Sequence, residues 1–415
     1  TNRVKSAVTS EETCERENRE LASRVVLANE KIIARGNGKC YGDAALGKNI
    51  LSTLNLNRLR HFDVENGIIQ CESGMLLADL LPRIVPAGWF FHVTPGIKNI
   101  TAGGAIASDV HGKNHPTKGC FSNWLISFEL LLGNGEIVRC SRDENPELFW
   151  QTCGGMGWTG VILSATFQLM RISGAPMWQK TLKLPDLEAL FEAFESHRDW
   201  PYAVAWLDSQ AGARGLFYAA RHLDEQTKPD FPEKRSLNVP FFAPSWLLNR
   251  YSIQVHNWLM YLRAKSREQS IGLEQCFYPL DRIRNWNRLY GRRGFIQYQF
   301  CLPEAESAAG IAEVLETVRQ HRDVPFLSVL KRHGQPPPEA VHSFPLKGYS
   351  LALDFPRTRT VFSLVSKLDE IVWAYSGKIY LAKDACSAAR MGRVDPAAFG
   401  DPKFHSMLKE RLLKR

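Results

Sequence analysis

Two glycine-rich runs hold the residues whose types and spacing could do chemistry. The first is Ala34, Arg35, Gly36, Asn37, Gly38, Lys39, Cys40, Tyr41, Gly42 and Asp43; the second extends from Thr94 through Gly96, Gly103 and Gly104 to His111 and Gly112. Each follows a short apolar run, Val25–Leu27 or Trp89–Phe91. Glycine has no Cβ and takes positive φ freely, so successive backbone N–H groups can turn inward and form an anion-binding nest. A pyrophosphate suits that geometry. One such run alone marks a tight turn or a strand bulge about as often as a ligand site, but two together point to a large anionic cofactor. Neither run has Gly-x-Gly-x-x-Gly opening a helix, and the chain has no Gly-Lys-Ser/Thr phosphate loop.

Other side chains extend this chemistry. Lys383 falls in the apolar stretch Ile379-Tyr380-Leu381-Ala382-Lys383-Asp384, read here as a strand. A lysine desolvated there has a depressed pKa and can hydrogen-bond a hydroxyl or stabilise negative charge; the alternative is a surface lysine. Gln297 and Gln299 share a strand face because side chains alternate with period two, and Lys331 is expected on a neighbouring strand. The bland reading of these three is ordinary sheet polarity. His111 and His115 have the i, i+4 spacing of a helical metal pair, but Gly112 and Pro116 indicate a loop, so no metal site is expected.

The elements that must carry these groups are expected to form a two-part α+β protein. The 415 residues are 44% hydrophobic and 23% charged, enough for two domains with real cores. Residues 1–172 alternate apolar strands such as Val161–Leu169 with Gly-rich turns, and helices are expected near 75–86 and 145–153. The texture changes near Ser173–Pro176. Strands such as Ala203–Leu207, Gly294–Cys301 and Tyr349–Leu353 then alternate with helices near 186–198, 304–321 and 358–376, which predicts a sheet covered by helices. The expected domains are 1–175, 176–377 and a C-terminal return over 378–415. No run of 18 apolar residues exists, so no membrane span is expected, and the first residues lack an apolar signal core, which leaves open whether a leader precedes Thr1. Nine cysteines without Cys-x-x-Cys favour reduced thiols in the cytoplasm over disulfides or zinc.

The runs Arg35–Asp43, Pro95–Gly112 and Cys153-Gly-Gly-Met-Gly-Trp-Thr-Gly160-Val-Ile162 resemble the FAD domain of the vanillyl-alcohol-oxidase and p-cresol-methylhydroxylase flavoproteins. Asp109–His115, Gly294–Phe300, Val329–Arg332 and Ile379–Asp384 extend the resemblance, in order, to the decaprenylphosphoryl-β-D-ribose 2′-oxidase family. The resemblance implies a PCMH-type FAD-binding domain with the substrate domain over the flavin, and hydride transfer from a sugar carbinol to the flavin. It assigns FAD contacts to Ala34 through Ala44, Gly96, Thr101, Ala102, Gly103, Gly104, Ser108, Asp109, Val110, His111, Gly112, Ile162 and Tyr380. Tyr41, His111 and Lys383 would face the reacting centre, and Gln297, Gln299 and Lys331 the substrate. Many relatives link flavin to a histidine directly after the first glycine turn. Lys39 stands there, so FAD is expected to be non-covalent.

The implied reaction oxidises a secondary hydroxyl of a polyprenyl-phosphoryl pentose to a ketone, the first half of an epimerisation serving cell-wall arabinan biosynthesis. A separate NAD(P)H-dependent keto-reductase would complete it. A soluble alditol- or aldonolactone-type sugar oxidase and an inactive flavin-binding subunit are the alternatives. The net charge of +9 comes without a nucleic-acid motif, so no nucleic-acid partner is expected. Residues 239–267, with Phe241, Phe242, Trp246 and flanking cations, read either as an interfacial anchor on the inner membrane or as a buried wedge.

Overall fold

The computed structural model describes residues 17–223, 231, 237–244, 246–386 and 400–413. Two large antiparallel sheets organise it, and the fold is α+β. The first has the order Leu59–Asp63, Ile68–Glu72, Val161–Arg171, Leu125–Leu131, Ile137–Ser141, with Trp89–Phe91 also paired to Val161–Arg171. Val161–Arg171 is rich in β-branched and apolar residues and is buried over most of its length, as befits a strand covered on both faces. Helix Leu77–Ile84 turns Leu77, Leu80, Leu81 and Ile84 into the same core.

The second glycine run contains a helix that its composition does not announce. Thr101 caps Ala102–Ala107, its Oγ1 accepting from the Gly104 N–H at 3.1 Å. A Cβ on Gly103 would come within 2.9 Å of Ser73 Cβ, so only glycine lets this helix lie so close to the turn after Ile68–Glu72.

The second sheet runs Arg267–Gly272, Pro176–Leu184, Gly215–His222, Tyr202–Leu207, Leu327–His333, Gly348–Pro356, Phe295–Pro303, Lys378–Ile379. Its cross-strand rows settle which face each side chain takes, since directly paired residues share a face. Tyr298, Phe300, Leu302, Leu330, Leu351, Leu353 and Phe355 form one face and pack on helices Leu187–Ser196, Ser307–Gln320 and Val361–Ala374. The rows Gln297–Asp354–Leu327, Gln299–Ala352–Val329 and Cys301–Ser350–Lys331 lie on the other.

Two expectations need correction. Lys331 is not on a strand next to the glutamines, because Gly348–Pro356 lies between and pairs antiparallel with both neighbours. Nor does Lys383 stand in a strand. The Tyr380 N–H donates to Gln299 O at 2.9 Å as the final rung, after which residues 381–383 turn and the Lys383 N–H donates back to Tyr380 O at 2.9 Å. The turn offers the Ala382 carbonyl to the Tyr41 N–H at 3.0 Å, which ties it to the first glycine run. Beyond it, helix Met407–Leu413 buries Leu408 and Leu412 with Ile33, Ala44 and Trp158.

Candidate functional site

One deep cleft gathers both glycine runs, the turn at 380–383 and the polar face of the second sheet. Of the residues expected to meet a cofactor, Ala34, Gly36, Asn37, Gly38, Lys39, Cys40, Tyr41 and Ala44 line it from the first run. From the second run come Gly96, Thr101, Gly103, Gly104, Ser108, Val110 and His111, joined by Ile162 and Tyr380. Gln299, Lys331 and Lys383 close it from the sheet side.

The remaining expected residues support this wall without lining it. Arg35 packs its guanidinium under Gly38, where a Cβ would meet it at 2.5 Å, and Gly42 lies against the Asp384 carbonyl. Asp43 is paired with Arg411 at 2.9 Å. Ala102 is buried in the apolar core. Asp109 is fully buried at φ 37° and accepts from the Ser122 N–H at 2.9 Å, from Ser122 Oγ and from Ser343 Oγ. Gly112 presses on Asn114 and Thr94 O, and Gln297 donates to Asp354 beside the cleft. Ser73, Thr53, Ala45, Pro95, Ile97, Ile100, Ala107, Met156, Gly157, Gly160 and Ala382 line it too. Of these, Pro95, Ile97, Ile100 and Ala107 belong to the second glycine run and Met156, Gly157 and Gly160 to the Cys153–Ile162 motif, whereas Ser73 and Thr53 left no sequence signal.

The cleft fits FAD. Its empty space, mouth included, is about 1260 Å³, and its cofactor wall is backbone and small side chains. A Cβ on Gly96 would meet nothing within 4 Å, so the space before it is free for a ligand. Ser73 Oγ and His111 Nδ1 are buried polar atoms with no hydrogen-bond partner among the described residues, a cost that a polar ligand removes.

Charge is concentrated at one end. Lys383 Nζ lies 3.8 Å from the centre of the Tyr41 ring, a cation–π contact. Burial pulls its pKa down to about 8, against the attraction of Asp354. Lys331 is lowered further, to about 7, by burial and then by the charges of Lys383 and Lys113. Burial, then the charges of Lys331, His115 and Lys383, hold His111 well below its ordinary range, so its imidazole is neutral. Gln299 Nε2 lies 3.1 Å from His111 Nε2. An amide nitrogen only donates, so in this orientation His111 carries its proton on Nδ1. Asp354 is lifted to about 6 by burial, opposed by Gln297 and Lys383, and its Oδ2 is unpartnered among the described residues. Sequence reasoning missed Asp354, although an acid inside Leu351-Ala-Leu-Asp-Phe355 was itself a signal. Burial also raises the Tyr41 phenol, which stays protonated.

Comparison with known proteins agrees with FAD as the cofactor. A family model described as an FAD binding domain matches residues 14–141. The chain is 32% identical over 377 residues to decaprenylphosphoryl-beta-D-ribose oxidase of Mycolicibacterium smegmatis, covering 86% of this chain and 81% of that protein. An uncharacterized Streptomyces coelicolor protein is 30% identical over 331 residues, 74% of this chain and 88% of its own. The L-gulonolactone oxidase of Bos taurus is 31% identical over 153 residues, 36% of this chain and 34% of its own.

Proposed function

The chain belongs to the FAD-dependent oxidoreductase family of decaprenylphosphoryl-β-D-ribose oxidase, acting on CH–OH groups, and on that premise we propose that it oxidises a secondary hydroxyl of a polyprenyl-phosphoryl pentose to a ketone. The observation that carries this reading is the convergence of Lys383, Tyr41, His111, Gln299 and Lys331 at one end of a cofactor-sized cleft. FAD, when bound, supplies the hydride acceptor. The chain's own residues supply placement and proton handling.

Oxidation of a carbinol releases the hydroxyl proton as well as a hydride. Lys383 is suited to take that proton at Nζ, because an amine with a pKa of about 8 is partly neutral near pH 7 and still basic. Tyr41, protonated and under the ammonium, holds Lys383 by its ring face and offers its phenol to the sugar. His111 offers its Nδ1 proton to an oxygen. Gln299 fixes that tautomer and has its other amide atom for a sugar hydroxyl, and Lys331, whose ammonium form a bound phosphate would favour, would supply positive charge for that group. Gln297 acts one step back, holding Asp354, whose charge supports the Lys383 ammonium. A separate NAD(P)H-dependent reductase would return the ketone as the opposite epimer, and a lipid-linked substrate calls for peripheral membrane association.

The similarity over 153 residues to L-gulonolactone oxidase supports a second reading, a sugar oxidase of the alditol or aldonolactone type acting on free substrates. Anaerobic mixing separates the two. Polyprenyl-phosphoryl pentoses should bleach the flavin and free alditols should not; the reverse would establish the second reading. Acid denaturation should release all the yellow chromophore as FAD, because Lys39 occupies the linking position. Flavin that stays with the precipitated chain would show a covalent link.

A further inference from the structure

Helix Arg250–Arg263 is built with its apolar stripe outward. Tyr251, Val255, Trp258 and Leu262 follow one another at i, i+4, i+7 and i+11, on one face, and all four are exposed. The inward face carries Ile253 and the buried Asn257, whose Nδ2 donates to Asp208 Oδ1 at 3.2 Å. A helix packed on a globular protein ordinarily does the opposite. The preceding loop continues the pattern, with Phe241 80% and Trp246 72% exposed and Phe242 and Leu247 beside them. Nine of the twenty exposed large hydrophobic side chains among the described residues lie between Leu237 and Leu262, so this is one patch and not scattered surface apolarity.

Charge says what the patch meets. Between Leu237 and Arg267 the sequence has no Asp or Glu, whereas Arg250, Arg263, Lys265 and Arg267 are all exposed. Aromatics with cations and no acids are the composition of an element that lies in the headgroup region of an anionic bilayer. Among the described residues no helix is long and apolar enough to cross a membrane.

The patch is also continuous with the cleft. Arg288, in the 3-10 turn Trp286–Tyr290, donates to Val239 O at 3.0 Å and Pro240 O at 2.7 Å, with its guanidinium over Phe242. From that turn Trp286 and Tyr290 both pack on Phe295, at 5.1 and 4.4 Å between centroids, and Phe295 meets Tyr41 edge-on at 5.3 Å. On the helix side, His256 packs on Phe326, which packs on Tyr290. We propose that the 237–267 surface docks on an anionic phospholipid bilayer, and that the Trp286–Tyr290–Phe295 rings guide a polyprenyl-linked substrate from it to Tyr41. The docking stands on the surface itself; the route rests on the lipid-linked reading above.

The test uses the FAD-loaded protein and vesicles of phosphatidylcholine with or without phosphatidylglycerol. The protein should float with phosphatidylglycerol vesicles and weakly or not at all with phosphatidylcholine alone. Added salt should weaken binding, since exposed charges are screened over about 10 Å at 0.1 M. Phe241→Ser, Phe242→Ser and Trp246→Ser together should lower vesicle affinity at least about tenfold while flavin absorbance and reduction by a detergent-dispersed substrate stay unchanged. Tyr251→Ser with Trp258→Ser should act alike from the helix face. Absent flotation, variants that float as well as the parent, or variants that lose flavin and unfold would each overturn the docking. So would a drop in oligomer mass without vesicle binding by the parent, which would make the patch an interface between copies. If vesicles bind but no lipid-linked pentose bleaches the flavin, the substrate reading fails and the docking stands.

Discussion

The two walls of the cleft recognise in opposite ways. The wall made by the glycine runs works by what is missing: Gly36, Gly96, Gly103 and Gly104 put backbone where side chains would stand, and Ala34, Ala44 and Ser108 keep the rest small. The sheet end works by what is concentrated: Lys383 and Lys331, with His111 reaching in from the second glycine run and Asp354 beside the cleft, are all shifted from their ordinary pKa values by burial and by nearby charges. The first wall can be written in a contiguous stretch because a cofactor follows the backbone. The candidate reactive groups instead meet from separate parts of the chain, His111 from the second glycine run, Lys331 from a strand and Lys383 from the turn after Tyr380. Binding and turnover should therefore be separable by mutation, one wall at a time.

The sharpest separation is expected from Lys383→Ala. It should retain the fold and much of the bound FAD but slow substrate-driven flavin reduction by roughly 10²–10⁴-fold, the range for a lost acid–base group, measured by anaerobic stopped flow. Near-normal reduction would move Lys383 from chemistry to structure. Gly96→Val should give the mirror image. Its φ is ordinary and a Cβ there touches no protein atom, so the protein should fold normally while FAD affinity, by titration of the apoprotein, falls roughly ten- to a hundredfold. Gly42→Ala is the contrast within the same wall: its methyl would overlap the Asp384 carbonyl, so melting temperature should fall along with flavin content. A Gly96→Val protein that unfolds, or that binds FAD normally, would remove the cofactor from this wall.

How much of this was legible follows the same division. The glycine runs, the helices Leu187–Ser196 and Val361–Ala374 and the strand Phe295–Pro303 could be read because local pattern specifies them. A contiguous motif does not say which members line the cleft, however. Arg35, Asp43 and Asp109 belong to the runs yet hold them in place through Gly38, Arg411 and Ser122. Lys383 looked like a strand residue because Ile379–Ala382 is apolar, and sequence alone cannot reveal that Tyr380 makes the last rung. Ser73 escaped because nothing near it in sequence shows that it is brought to the cleft, and the acid inside Leu351–Phe355 is a signal that does not say which groups Asp354 meets. Lys331 was recognised, but its row beside Ser350 and Cys301 exists only in the sheet register.

Within the reactive wall, acidity orders the next effect. If the neutral amine of Lys383 accepts the hydroxyl proton, flavin reduction should rise with pH through about 8 and level off above it. Asp354 raises that pKa by favouring the ammonium. Asp354→Asn removes the carboxylate charge, so Lys383 loses its proton more easily and the rising limb should move to lower pH, with reduction at pH 7 up to roughly tenfold faster for each unit moved. A limb that stays in place would show that Asp354 only holds Gln297. A limb that moves upward would contradict the electrostatic assignment.

The smallest effect should come from Tyr41→Phe, and its size divides the work between ring and hydroxyl. Phenylalanine keeps the face under Lys383 Nζ at 3.8 Å and the edge against Phe295, so the cation–π contact and the packing survive. What disappears is one phenol that burial already keeps protonated and that therefore can donate a hydrogen bond but is poorly suited to act as a base. Losing one such bond should slow reduction roughly two- to tenfold, with the pH limb unmoved. Tyr41→Leu, which also removes the ring face, should slow it more and shift the limb downward, because the ammonium loses a favourable contact. If Tyr41→Phe instead matched Lys383→Ala, the phenol would be the group that passes the proton, and Lys383 would be the positive charge that makes its ionisation accessible.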